Sequence, residues 1–395
     1  MAERVLRFGM IGLGQAGGGM LASMTKNPRV RVTAASDVRR AALDRFASEF
    51  GGETYLDVED LCRSPNVDAV YIGTPHQFHA AHAIAAATNG KHVLLEKPMA
   101  LTIEDCDAMI SAADRSGTRL LVGRGSHGFD PAVLRMREIV RGGELGRLGM
   151  LNTWRFGDFL YRPRTPAELD TSQGGGVMFN QGPHQIDLIR VIGGGMLRSV
   201  RAMTGNWDPE RSTEGSYTAF LQFTDGAAAT MAYSGYDHFD SDELHYWIGT
   251  YGDPSEPSHG SARRELRAAA IKDEAAVKAS RGYGGAQPRQ SAGVRPEAPH
   301  QIHWGITIVS CERGDLRQSQ DGIYIYDDNG KREVPIPGGA AADVVDELYE
   351  AVVTDRPPLR DGRWEKATLE VCLAVLQSGR ERREIDLSHQ VPLNE

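Results

Sequence analysis

The sequence predicts an α/β chain in two parts, an N-terminal doubly wound parallel sheet and a C-terminal α+β domain with a large, open, mainly antiparallel sheet. Three observations carry this. Strand-like and helix-like stretches alternate from Val5 to about residue 125, a glycine-rich turn follows the first strand, and beyond Phe129 longer runs alternate apolar with polar residues. At 395 residues the chain exceeds one typical core, so two domains are expected, 1–125 and 126–395.

The elements follow in order. VLRFGMIGL is the first strand, AGGGMLASMTK a helix, VRVTAASD the second strand and RRAALDRFASEF an Ala-rich helix, an alternation that implies parallel neighbours. AVYIGT and HVLLEKP are further buried strands, and QFHAAHAIAAATNG between them reads as a helix that stops at Gly90 after Asn89. LLVGRG is the next strand. After the helix PAVLRMREIVRGGE, the runs MLNTWRFGDFLY, SYTAFLQFT and AAATMAYSGY suit an antiparallel sheet with one open face. Residues 252–300, rich in Gly, Pro, Ser, Ala and charge, read as a partly mobile insertion with one helix, SARRELRAAAIKDEAAVKA. Two helices, AAADVVDELYEAVVT and WEKATLEVCLAVLQSGRER, are expected over 340–380.

Composition narrows the function. With 41% hydrophobic and 25% charged residues the chain is of ordinary globular type. The net charge of −9, with Arg dispersed among acids, offers no basic face for nucleic acid. No apolar run approaches the roughly 20 residues of a membrane span, and no export signal is visible, so a cytoplasmic protein is expected. Cys62, Cys106, Cys311 and Cys372 form neither a CxxC pair nor a Cys/His cluster, which fits a reducing compartment and no structural metal.

The first motif with chemical content is Gly12-x-Gly14-x-x-Gly17, placed after a strand and opening a helix, with Asp37 twenty residues further on. This spacing is the dinucleotide fingerprint of a Rossmann fold. The glycines allow the tight turn, the approach of backbone to a pyrophosphate and close helix packing, and the helix N-terminus supplies oriented N–H groups, Gln15 and Ala16 through backbone alone. Asp37 would accept hydrogen bonds from the adenosine ribose. It favours NAD over a 2′-phosphorylated cofactor, although Arg39 and Arg40 leave NADP open.

GTPHQFHAAHA, GKHVLLEKPMALT and GGGVMFNQGPHQID together resemble the glucose-fructose oxidoreductase, inositol dehydrogenase and MocA family, whose members carry a TP-x-x-x-H turn and then an EKP signature. Thr74, Pro75 and His79 supply the first here, and Glu96, Lys97 and Pro98 the second. Asn180, His184 and Asp187 form a third element in the same order, and PPLRDGRW also fits. The resemblance spans nearly the whole chain. It implies a Rossmann domain that binds NAD(P), a sheet domain that forms the substrate site and often an oligomer interface, terminal helices that return toward the first domain, and hydride transfer. A homo-oligomer, dimer or tetramer, is the expected assembly.

Some of this chemistry is readable from the residues. Lys97 leaves an apolar strand at the carboxyl end of a sheet, where doubly wound folds bind ligands, and partial burial would lower its pKa. His184 is the better base, though which of the two first takes the proton stays open. Asn180 stands where many family members have Asp; it can hydrogen-bond a substrate hydroxyl but cannot accept a proton. Asp187 either orients His184 or makes a structural salt link, and His79 either closes over the cofactor or is a core histidine.

For the substrate, DFLYRPRTPAELDTSQGGG, GRGSHGFDPAVLRMREI and SCERGDLRQSQDGIYIY resemble phthalate cis-dihydrodiol dehydrogenases within the family. That implies oxidation of cis-4,5-dihydro-4,5-dihydroxyphthalate to 4,5-dihydroxyphthalate. Arg162 and Arg164 would grip two carboxylates in bidentate fashion, unless RPR is a solvated loop with surface ion pairs. Arg124, His127 and Arg155 are further candidates. Two alternatives stand beside this reading: a sugar or cyclitol dehydrogenase using the same Lys97 and His184, and a non-catalytic dinucleotide-binding regulator, which would be free to lose both.

Overall fold

The structure, a computed structural model, describes residues 4–123, 130–268, 273–287, 299–336 and 344–394. The N-terminal part runs β1 (Leu6–Ile11), α1 (Gln15–Met24), β2 (Val30–Ser36), α2 (Arg40–Phe50), β3 (Glu53–Tyr55), α3 (Val58–Arg63), β4 (Ala69–Ile72), α4 (His79–Thr88), β5 (His92–Glu96), α5 (Ile103–Ser116) and β6 (Leu120–Gly123). All six strands pair in parallel in the order β3-β2-β1-β4-β5-β6, with the crossover between β1 and β4. The chain therefore reverses direction at the carboxyl ends of β1 and β4, where doubly wound sheets hold their ligands. β3 was not expected, because three residues are too few to show a period.

The second part runs α6 (Pro131–Gly142), β7 (Leu148–Phe156), α7 (Gly176–Gly193), β8 (Leu197–Gly205), β9 (Ser216–Phe223), β10 (Ala228–Ser234), α8 (Ser261–Ala268), α9 (Glu274–Ser280), β11 (Ile306–Cys311), β12 (Gly314–Gln318), β13 (Gly322–Asp327), β14 (Gly330–Pro335), α10 (Val344–Val353), α11 (Gly362–Glu381) and β15 (Ile385–Asp386). Nine strands form one sheet, β14-β13-β12-β11-β7-β10-β9-β8-β15, antiparallel except for the β7–β10 pair. The long α7 covers one face. Buried Gln185 fixes it there by donating to the Thr153 carbonyl (2.9 Å) and the Ala232 carbonyl (3.2 Å) while Tyr217 donates to its Oε1 (2.7 Å). On the opposite face Met150, Trp154, Met203 and Phe220 are exposed, an apolar patch of the kind that marks an interaction surface.

Two cores hold the parts together. On one side of the parallel sheet, residues of α1, α2 and α10 (Leu21, Phe46, Leu348, Tyr349) close over it. On the other side the core continues through α4, α5 and α6 into that of the nine-stranded sheet, α7 and α11. Fully buried Arg190 on α7 bonds the Trp364 carbonyl (2.8 Å) and Thr368 Oγ1 (2.8 Å), so α7 is also clamped to α11.

The segment after β10 departs from expectation. Two short helices replace the single one, because the Asp273 side chain accepts from the Ala276 N–H (2.8 Å) and so caps a new helix, α9. That helix and the turn behind it are tied at both ends. Arg211 pairs with Glu274 (3.0 Å) and Lys278 with Glu168 on the sheet side, while Tyr283 packs on the glycine-turn side of the parallel sheet.

Candidate functional site

The glycine turn is built as its spacing requires. Gly12 has φ +89, and a Cβ on Gly17 would lie 2.0 Å from the Gly12 carbonyl oxygen, so both positions are closed to larger residues. Gly14 differs, since nothing lies within 4 Å of where its Cβ would stand. It is also the N-cap of α1 and caps it with no side chain. Open space beside a helix N-terminus fits a pyrophosphate.

Asp37 closes this turn from β2. Its carboxylate accepts the Leu13 N–H (2.7 Å) and the Arg39 N–H (2.8 Å), and the Arg39 guanidinium lies across both oxygens (3.0 Å each). Burial alone would raise the Asp37 pKa, but these donors outweigh it and hold the carboxyl below its ordinary range. Arg39 also donates to the Tyr283 carbonyl (3.1 Å), so the turn after α9 reaches the adenosine end of the site.

The second motif arranges the next wall. His79 is fully buried, with Nδ1 2.8 Å from the Pro98 carbonyl and Nε2 3.0 Å from the Thr74 carbonyl, and burial pushes its pKa down to about 4. It is a core histidine that staples the Thr74–Pro75 turn to the segment after β5, which corrects the expectation that it closes over the cofactor. Glu96 likewise turns inward, accepting from Tyr71 (2.7 Å) and from the Lys97 N–H (3.2 Å). It therefore positions Lys97.

Lys97 bridges the two parts of the chain. Its Nζ donates to the main-chain carbonyl of Asn180 (2.8 Å), one turn before His184 on α7. Pro183, inside α7, lacks an N–H, so the carbonyl left without its helical donor is that of Phe179, four residues earlier and next to Asn180. The Asn180 amide is spent on the carbonyls of Gly176 (2.9 Å) and Gly174 (3.3 Å), so its Oδ1 is what it can offer a hydroxyl. The His184 ring stands 5.6 Å from that of Trp304, which in turn faces Tyr233. Asp187 accepts from Trp364 Nε1 (2.6 Å) and pairs with Arg360 (2.8 Å), so its carboxylate anchors α7 to the C-terminal segment.

Two residues escaped the sequence reading. Buried Glu214 caps α7 by accepting the Met178 N–H (3.1 Å), and His76 Nδ1 meets the Gly174 carbonyl (2.9 Å), joining the Thr74 turn to the start of α7. Neither carries a motif, since each acts through a partner far away in sequence.

The expected arginine grip is corrected. Arg164 gives Nε and Nη2 to the Phe159 carbonyl (2.9 and 2.7 Å) and Nη1 to Glu168 (3.2 Å), with its side chain 9% exposed. It holds its own loop. Arg162 pairs with Asp158 (2.5 Å), with its side chain 53% exposed, which is the ion-pair reading of RPR. Arg155, on β7 beside Tyr233 of β10, lies over the Trp304 ring at 5.2 Å. Arg124 and His127 lie outside the described residues. Among the described residues no group of His, Cys, Asp and Glu could hold a metal, and no helix is long and apolar enough to cross a membrane.

Residues 6–124 match the GFO/IDH/MocA oxidoreductase family with its NAD-binding Rossmann fold, and residues 133–252 match the GFO/IDH/MocA C-terminal domain. The chain is 40% identical over 382 residues, 95% of each protein, to the 1-carboxy-3-chloro-3,4-dihydroxycyclohexa-1,5-diene dehydrogenase of Comamonas testosteroni. It is 31% identical over 199 residues, half of this chain and 58% of the relative, to myo-inositol 2-dehydrogenase of Thermotoga maritima. A crystal structure from Bordetella bronchiseptica RB50 superposes with a TM-score of 0.89 at 46% identity, covering 97% of this chain and 100% of that one.

Proposed function

The chain belongs to the GFO/IDH/MocA family of NAD(P)-dependent oxidoreductases, and on that premise we propose that it oxidises a ring cis-dihydrodiol carrying a carboxylate to the corresponding catechol. The observation that carries this is the placement of Lys97. It sits at the carboxyl end of β5, on the ligand-binding edge of the parallel sheet, and its amine is held one helical turn from His184.

Gly12, Gly14 and Gly17 with the N-terminus of α1 would hold the pyrophosphate, Asp37 with Arg39 the adenosine ribose, and Thr74, Pro75 and Lys97 the nicotinamide end. When bound, NAD supplies the hydride acceptor. Asp37 is kept ionised by its donors and disfavours a 2′-phosphate, so NAD is the cofactor of this reading, with Arg39 offsetting part of the repulsion. His184 receives the hydroxyl proton while Lys97 donates a hydrogen bond to the same oxygen, and the Asn180 Oδ1 receives the neighbouring hydroxyl. The carbinol carbon loses hydride and the oxygen its proton; the enone so formed tautomerises to the catechol, and the gain of aromaticity draws the reaction forward.

The Comamonas relative is named for a carboxylated cyclohexadiene diol, and Arg155 beside Trp304 and Tyr233 gives this chain an aromatic, cationic wall suited to such a ring. The cis-4,5-dihydrodiol of phthalate is one member of this substrate class. The exposed apolar face of the nine-stranded sheet is the surface on which copies of the chain associate. NADH formation at 340 nm with cis-dihydrodiols of phthalate and benzoate, beside inositol and glucose, tests the reading. Turnover of the polyols without turnover of either dihydrodiol would overturn it.

A further inference from the structure

The wall facing α7 holds polar groups that hydride transfer does not use. Arg155 Nη1 is buried and makes no hydrogen bond among the described residues, and its nearest acid, Asp242 Oδ1, is 3.9 Å away, an ion-pair distance too long for a hydrogen bond. Asp242 lies in the helical turn Ser241–His245, and its Oδ1 is also buried without a hydrogen bond. His245 Nε2 stands 3.2 Å from that oxygen, and its ring stacks on His303 at 5.3 Å. Both His245 nitrogens and His303 Nδ1 complete the set of unsatisfied atoms.

Buried polar atoms are nearly always bonded, so five in one cluster call for an explanation. Arg164, nine residues along the chain, shows the contrast, because all its guanidinium nitrogens have acceptors. Arg155 instead rests on Trp304, whose ring reaches His184 on its other contact. Burial would raise the Asp242 carboxyl, but His245 and Arg155 beside it outweigh this and hold it below the ordinary range, so an anion lies 3.9 Å from Arg155 Nη1.

We infer that Arg155 is the receptor for a single substrate carboxylate, and that Asp242, backed by His245 and His303, is the positioning residue that holds its guanidinium over Trp304. This rests on the dehydrogenase reading and deepens it. A carboxylate takes a guanidinium through two parallel N–H donors, and Arg155 retains an uncommitted donor at Nη1. Of the two arginines that a second carboxylate would need, Arg164 has all its guanidinium nitrogens on Phe159 and Glu168, and Arg162 gives Nε and Nη2 to Asp158. The site therefore selects a ring diol with one carboxylate over a vicinal dicarboxylate.

Benzoate, benzamide and phthalate are titrated into the enzyme, with and without saturating NADH, by calorimetry and by NADH fluorescence. Benzoate is expected to bind roughly 100-fold more tightly than benzamide, the worth of one charged hydrogen-bonded pair, and phthalate no more tightly than benzoate. In Arg155→Gln the preference for benzoate over benzamide should collapse to less than about threefold, with Arg155→Lys recovering part of it. In Asp242→Asn it should fall by roughly tenfold while NADH affinity holds, a result that simple loosening of the fold would not give. Unchanged discrimination in Arg155→Gln overturns the subsite, and phthalate binding tenfold tighter than benzoate overturns the single-carboxylate selectivity. Failure of NADH to bind would instead sink the dehydrogenase reading, and the titrations without NADH would still judge Arg155.

Discussion

The dinucleotide turn and the substrate wall are built on opposite plans. The turn lies within Gly12–Arg39, and its geometry is enforced by contacts inside that one strand-helix-strand unit: Gly17 against Gly12, Leu13 and Arg39 against Asp37. The wall draws Arg155, Tyr233, Asp242, His245 and Trp304 from segments up to about 150 residues apart, and what each side chain does depends on which strand falls beside it. A site written in local backbone geometry announces itself in spacing. One assembled from distant side chains does not.

The largest effect expected is on the link between the two regions. Lys97→Ala should lower kcat/KM by roughly 10³-fold while weakening NADH binding far less, read at 340 nm and by fluorescence titration; unchanged turnover would show that the bridge to Asn180 is only structural. Next, the turn itself can be split. Gly17→Ala forces a Cβ to 2.0 Å from a carbonyl oxygen and should cost about 3 kcal/mol or more in urea unfolding. Gly14→Ala enters open space, so stability should stay within about 0.5 kcal/mol while NADH affinity falls.

Acid should act on the dinucleotide side through two buried histidines of the Thr74 turn. The pKa of His79 is pushed down to about 4 and that of His76 to about 3, chiefly by burial, whereas in the unfolded chain both protonate near 6.5. The unfolded state then binds more protons between these limits, so stability is full above about pH 6.5 and falls as pH drops toward 4. By pH 5 His79 alone should account for on the order of 2 kcal/mol, and urea midpoints of His79→Gln should lose less on going from pH 7.5 to pH 5. On the wall, Arg164→Ala should cost about 1–3 kcal/mol of stability while keeping the preference for benzoate over benzamide, the reverse of Arg155→Gln. A small change is also expected of Tyr283→Phe, which removes the hydroxyl donated to Glu49 (2.6 Å) and should shift the unfolding free energy by no more than about 1 kcal/mol.

The alternating strands and helices of the parallel sheet, its glycine turn and the placing of Lys97 at a strand end were all legible from the chain, because periodicity and turn chemistry act over a few residues. β3 was too short to show a period, and the second helix of the 252–300 segment was hidden inside a continuous helical pattern that Asp273 interrupts. His79 was open to two readings until Pro98 and Thr74 were seen on either side of its ring. Arg162 and Arg164 looked like ligand donors because nothing in RPR shows that the Phe159 carbonyl, Glu168 and Asp158 fold back onto them.

By itself, then, the sequence determined the class of fold and the dinucleotide turn, since each is a matter of spacing along one strand or helix, while Lys97 and His184 were singled out by the family resemblance. Only the tertiary structure decided which arginine keeps a free donor, which histidine is core and which acid caps α7, because a polar group's role follows from the partners that satisfy it. Those partners lie tens to hundreds of residues away.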